Sequence, residues 1–246
     1  MCDILAISAG YNHTPQKYLP IFAEKGKENM NGWGIGFFRE DRALVEKSDE
    51  QVFCDQQVHE SFQRLARVID SRIIIAHVNC PRSGGHHSTQ LHPFTLNFLD
   101  HNWLFAQIGV AENIKQYQTH GTPRLEADGH SARTFEYLRD QMILLNRKNP
   151  YISLYIALRI SIQTLLTDYP GNYTFFLASE SVLFVFCNYR QLMVLKAAES
   201  MGDILLVTSV RDGLSRTDWH PIMPEPKSQG ELLVIAGPDV LYAEDV

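Results

Sequence analysis

Runs of β-branched and aromatic residues fill both ends of this chain, whereas apolar residues at spacings of three and four are confined to its middle. The opening run "CDILAIS" predicts a strand. "GWGIGFFRE" and "RALVEKS" predict a hairpin that turns at Glu40-Asp41. "RIIIAHV" at 72–78 and "NWLFAQIGV" at 102–110 predict buried strands. Further strands are predicted at "NYTFFLAS", "VLFVFCN", "QLMVLKA", "ILLVTSV" and "ELLVIAG". Between these halves, Phe135, Leu138, Met142 and Leu145 lie on one face of a helix over 131–148. Asn149-Pro150 breaks it, and a second amphipathic helix runs over 151–167, ending near Asp168-Tyr169-Pro170. A shorter helix is predicted over 57–69. Strand-rich halves around a helix pair predict an α+β fold, with sheets packed face to face and helices outside, rather than a βαβ repeat.

Composition narrows the class. No repeat, low-complexity tract or linker interrupts the 246 residues, which predicts a single domain over 1–246. At 45% hydrophobic residues the chain can bury a substantial core. The net charge of −6 comes from 22 basic and 28 acidic residues with no block of either sign, which argues against nucleic acid or an anionic membrane as partner. Cys2, Cys54, Cys80 and Cys187 form no CxxC pair, and no secretory signal precedes them, so free thiols in a reducing cytoplasm are expected. The apolar run "SVLFVFC" is too short to span a bilayer.

Two constellations invite chemistry and are set aside. His77, Cys80, His86, His87 and His92 crowd a short span, but their spacing fits no structural zinc pattern and Gly84-Gly85 loosens it, so no metal is expected. "GWGIG" lacks GxGxxG spacing and a following helix; its glycines are expected to let the hairpin approach the strand that carries Cys2.

Four stretches carry more: Cys2, "NGWGIGFF" at 31–38, "AHVNCPRSGG…LHPF" at 76–94 and "NWLFAQIG" at 102–109. In this order they resemble the class II glutamine amidotransferases, enzymes with an N-terminal nucleophile, and especially their short stand-alone bacterial members. The C-terminal "TSVRDGLSRTDWHPIMPEPKSQGELLVIAG" extends the resemblance over nearly the whole chain. It implies a four-layer αββα sandwich of two mainly antiparallel sheets. It also implies that Met1 is removed, that the Cys2 thiol attacks the side-chain amide of glutamine to form a thioester, and that the exposed α-amine acts as base. No cofactor is implied. The implied partners are a small amide, glutamine or an analogue, and a separate synthase that accepts the ammonia.

The chain departs from that family where substrate would be held. The usual "HNG" reads Gln107-Ile108-Gly109, so of the two oxyanion donors only the Gly109 N–H is retained. Gln107 cannot stand in for Ile108, because neighbours on a strand face opposite ways. The arginine that grips the substrate carboxylate is Asn79, with Arg82 three residues on as a substitute. The aspartate that faces the substrate ammonium is His130, with Asp128 nearby, and Asn31 replaces an aspartate before "GWG". Two readings stay open: an amidohydrolase with an altered pocket, or a binding or regulatory protein that has kept the scaffold and lost the glutaminase reaction.

Overall fold

The structure is a computed structural model and describes residues 2–25, 32–79, 90–210, 213–214, 219–222 and 229–246. Asn31, Cys80, Arg82, His86 and His87 lie outside the described residues. In chain order the elements begin with β1 (Asp3–His13), α1 (Tyr18–Lys25), β2 (Trp33–Arg39), β3 (Arg42–Ser48), β4 (Phe53–Cys54) and β5 (Gln57–Val58). They continue with α2 (Glu60–Val68), β6 (Ser71–Val78), β7 (Phe94–Phe98), β8 (His101–Ile108), α3 (His130–Lys148) and α4 (Leu154–Asp168). The last are β9 (Thr174–Ala178), β10 (Leu183–Cys187), β11 (Leu192–Glu199), β12 (Gly202–Thr208), β13 (His220–Ile222), β14 (Glu231–Ala236) and β15 (Asp239–Asp245).

Among the described residues these strands form a sheet in the order β13-β11-β12-β1-β6-β2-β3 and a second in the order β15-β14-β10-β9-β8-β7. Pairing within both is antiparallel. Alternation along each strand sorts the apolar side chains into three layers. Ile4 and Ala6 of β1 meet Leu104, Ala106 and Ile108 of β8 between the sheets. Leu5 and Ile7 face the other way, onto Leu19 and Phe22 of α1 and Phe62 and Ala66 of α2. On the far side, Trp103 and Phe105 of β8 pack under Phe135 and Met142 of α3 and Leu158 and Ile162 of α4. Both sheets are covered on both faces. That is why β1 and β8 read as nearly continuous apolar runs rather than alternating ones. The αββα sandwich expected from the sequence is the observed fold.

Local rules account for the boundaries. The β2–β3 hairpin closes Arg39 against Arg42 with Glu40 at φ 57°. Pro150 delays the second long helix to Leu154, where the Ser153 hydroxyl accepts a hydrogen bond from Ile156 N. Fully buried Arg139 of α3 donates to Asp140 Oδ1 at 2.8 Å and to Thr119 Oγ1 at 2.5 Å, and Asp140 Oδ2 accepts from the Tyr117 hydroxyl and from His120 N. This knot ties the segment before α3 to the helix. None of the described helices is long and apolar enough to cross a membrane.

One expectation about packing is corrected. β6 lies between β1 and β2, so the glycines of "GWGIG" do not bring the hairpin against the strand of Cys2. They admit the second sheet instead. A Cβ on Gly34 would sit 2.0 Å from the carbonyl oxygen of His92, and one on Gly36 would sit 2.8 Å from Leu104 Cδ2.

Candidate active site

Cys2 stands immediately before β1, the central strand of its sheet. The chain fixes this end from its backbone outward. Arg190, in the turn between β10 and β11, donates through Nη1 to the Cys2 carbonyl and through Nη2 to Asp3 Oδ1 at 2.7 Å. The Ser209 hydroxyl donates to the same carboxylate oxygen at 3.0 Å and accepts from Ile4 N at 3.0 Å. Residues 2–4 are therefore held by groups that do not use the Cys2 side chain.

That side chain faces a cavity of about 410 Å³. Its walls come from the ends of β6 and β8 and the first turn of α3. Asn79, Ile108, Gly109 and His130 all line it with Cys2, so five of the six residues singled out from the sequence meet in one place. The sixth, Arg82, lies outside the described residues. Asp128 is not part of the lining; its carboxylate accepts from Gln90 Nε2 at 2.8 Å, and Gln90 does line the cavity.

Asn79 contacts the thiol itself, with Cys2 Sγ donating to Asn79 Oδ1 at 3.3 Å. A carboxamide serves both protonation states of sulfur: its oxygen accepts from S–H, and turned over, its NH₂ donates to a thiolate. Ile108 shares the inter-sheet face with Ile4 and Ala6, is 5% exposed and offers no donor to the cavity. Gly109 ends β8 at φ +116°, and a Cβ there would lie 2.2 Å from the carbonyl oxygen of Asn172. Only glycine satisfies both constraints at this position.

Behind the thiol lies a buried polar group that the sequence mentioned only as motif letters or zinc candidates. His77, opposite Ile4 on β6, is 1% exposed, and its ring lies 4.4 Å from that of His92. Burial, aided by the nearby Lys47 charge and opposed by the backbone of Gln107, pushes the His77 pKa down to about 3. His92 is driven in the same direction by burial, then by His77 and Lys47. Burial likewise lowers Lys47 to about 8. A histidine inside a run of isoleucines was the available signal for this group. Arg190 and Asp3 had none, because 187 residues separate them. Among the described residues no three His, Cys, Asp or Glu side chains cluster as a metal site would require.

The His77 shift predicts an acid sensitivity. The unfolded chain binds a proton at His77 near pH 6.5 and the folded chain only near pH 3. The stability this neutral ring carries is complete above about pH 6.5 and is lost as the pH falls towards 3. His77→Gln is expected to flatten the fall of the thermal midpoint between pH 6.5 and 4. A fall as steep as in the unaltered protein would mean that His77 is not the group responsible.

Comparison with known proteins completes the picture. An uncharacterised protein of Methanocaldococcus jannaschii is 26% identical over 270 residues, spanning 99% of this chain and 71% of that protein. A predicted glutamine amidotransferase from Pseudomonas aeruginosa superposes with a TM-score of 0.67 at 19% identity, covering 98% of this chain and all of the other. A protein described as a glutamine aminotransferase class-II domain protein, from Silicibacter pomeroyi, superposes with a TM-score of 0.61 at 12% identity and 98% coverage of both chains. Glutamine phosphoribosylpyrophosphate amidotransferase from B. subtilis gives 0.68 at 16% identity, with 99% of this chain matching 49% of that larger one. At such identities the solved structures speak for the fold. Residues 1–207 match the sequence profile described as "Glutamine amidotransferases class-II", and the chain belongs to that family.

Proposed function

We propose that this protein is an N-terminal-cysteine amidohydrolase that cleaves the carboxamide of glutamine or a related γ-glutamyl-type amide. The observation that carries this reading is the cavity that Cys2 Sγ shares with the Gly109 end of β8. Once Met1 is removed, the Cys2 α-amine, with an ordinary pKa of about 7.7–8.0, takes the thiol proton as sulfur adds to the amide carbon. The Gly109 N–H donates to the oxygen that becomes negative. The C–N bond then breaks, the amine returns the proton to the departing nitrogen, and ammonia leaves behind a thioester. Water, deprotonated by the same amine, hydrolyses the thioester to a carboxylate and frees the thiol. Asn79 and His130 line the substrate pocket. A separate cytoplasmic synthase would take up the ammonia.

Ile108 at the oxyanion wall favours a second reading, a binding or regulatory protein with the chemistry lost. Two measurements on the purified protein separate them. Intact mass is expected to show Met1 absent. Iodoacetamide and a diazo-ketone analogue of glutamine are then applied in turn. At least one should modify Cys2 faster than the exposed Cys54. A retained Met1 blocks the amine and overturns the enzyme reading, as does a Cys2 that reacts with neither reagent.

A further inference from the structure

One polar side chain of the cavity is left without a task by the thioester chemistry. Gln107 is 2% exposed and lines the cavity, and neither heteroatom of its carboxamide has a hydrogen-bond partner among the described residues. Buried polar atoms are nearly always satisfied, so an orphaned carboxamide facing a cavity suits a ligand. Alternation puts Gln107 on the face of β8 that carries Trp103 and Phe105 and packs under α3. Phe105 stacks on Phe135 with ring centroids 4.8 Å apart. Gln107 lies two residues beyond Phe105 on the strand, and the first turn of α3 lies about one turn before Phe135 on the helix. Both ends meet in the cavity wall, where Ser131 and Ala132 line it with Gln107.

This end of α3 is open towards a ligand. Gly129 is the N-cap of the 19-residue helix, no side chain caps it, and the first turn holds no acidic residue. First-turn N–H groups have no acceptor within the helix, and the aligned peptide dipoles place positive charge there. The carboxamide of Gln107 adds two more donors. Asp128 precedes the N-cap, but it is exposed, is absent from the lining and accepts from Gln90 Nε2. The lining includes the Arg190 guanidinium and, among the described residues, no carboxylate; Asp3, which pairs with Arg190, is not part of it. An anion finds donors and a favourable field in this wall, whereas an ammonium would be desolvated with no counter-charge. Gln107 and the Gly109 N–H stand two residues apart, about 7 Å of strand, which is the reach of a short aliphatic chain. Phe94 and Ile108 supply apolar wall between them.

We propose that the Gln107 carboxamide and the first-turn N–H groups of α3 seat the carboxylate of the substrate, so that the site takes the monoamide of a short dicarboxylic acid, lacking an α-ammonium, in preference to glutamine. Which bond is cleaved rests on the reading of Cys2 as nucleophile; the binding preference does not.

Three compounds of one carbon skeleton test it: glutaramate, the monoamide anion; glutaramide, its uncharged diamide; and glutamine, the zwitterion. Titration calorimetry on the full-length Cys2→Ala protein measures their binding with the chemistry removed. Glutaramate is expected to bind at least tenfold more tightly than either of the others. Gln107→Met in the same background should remove most of that preference. Ser131→Asp should abolish it by placing a competing carboxylate in the first turn, where an acidic residue favours the helix and so leaves the fold intact. If Gln107→Met does not fold, Ser131→Asp alone decides. Glutaramide or glutamine binding as tightly as glutaramate overturns the proposal, and so does a preference that survives the substitutions. Binding of none of the three also overturns it, because the wall is then simply hydrated. A protein that selects glutaramate while its native Cys2 resists every electrophile would sink the nucleophile reading and leave this one standing; a reactive Cys2 without the preference would do the reverse.

Discussion

Replacing Cys2 with alanine is expected to lower amide turnover to background, a loss of about 10⁴-fold or more, while leaving the fold and substrate binding intact. Loss of a covalent nucleophile removes the thioester route itself, so the effect falls on kcat. The fold should tolerate the change because Arg190 grips the Cys2 carbonyl, which every residue possesses, and Asp3 supplies the ion pair. The contact of Sγ with the Asn79 carboxamide is lost, and alanine keeps an apolar group against the inter-sheet core. Cys2→Ser is a stricter version, since it keeps a hydrogen-bonding atom at nearly the same place and changes only its nucleophilicity. Turnover in either variant within tenfold of the unaltered protein would show that the thiol is not the nucleophile. Circular dichroism and the thermal midpoint, measured alongside, would expose a loss caused by misfolding.

Replacing Ile108 with asparagine should act in the opposite direction and raise kcat by roughly 10²–10³-fold, the usual worth of one oxyanion donor. The side chain at 108 shares the inter-sheet face with Ile4 and Ala6, lines the cavity that holds the thiol, and precedes the Gly109 N–H. A carboxamide there would place a second donor beside the first. Removing the isoleucine from a position 5% exposed costs about 2 kcal/mol of apolar burial, so the variant should be somewhat less stable as it becomes faster. Because the donor meets its acceptor only as charge develops, kcat should rise with little change in KM. An unchanged or lower kcat in a folded Ile108→Asn protein would mean that no oxyanion forms at this wall.

The layers of the fold were legible because both sheets bury short apolar runs rich in β-branched and aromatic residues and bounded by polar turns. α3 was legible from Phe135, Leu138 and Met142. Two elements were missed although their signal was present. α1 places Tyr18, Leu19, Phe22 and Ala23 on one buried face, but at eight residues with Pro20 near its start it is too short for a periodicity argument. β7 buries Phe94, Leu96 and Phe98 in strict alternation over five residues that follow directly on the "HPF" motif's His92-Pro93. β15 presents Val240, Leu241 and Tyr242 largely to solvent, a pattern that local sequence does not distinguish from a loop. At the site, opposite facing of Gln107 and Ile108 followed from the strand period alone. The contact of Asn79 with Sγ and the grip of Arg190 did not. Each depends on distant segments meeting, and no local spacing encodes that.

The placement of β1 sets when the thiol can be assembled into its cavity. The strand is flanked by β6 on one side and by β12 on the other, and Ile4 reaches its hydrogen-bond partner Ser209 across 205 residues of chain. During synthesis, β1 therefore leaves the ribosome long before β12 and waits as an unpaired edge. Contacts so distant in sequence slow folding and expose apolar edges meanwhile. The surroundings of Cys2 are complete only once the last third of the polypeptide has folded, because Arg190 and Ser209, which hold residues 2–4, both lie within it.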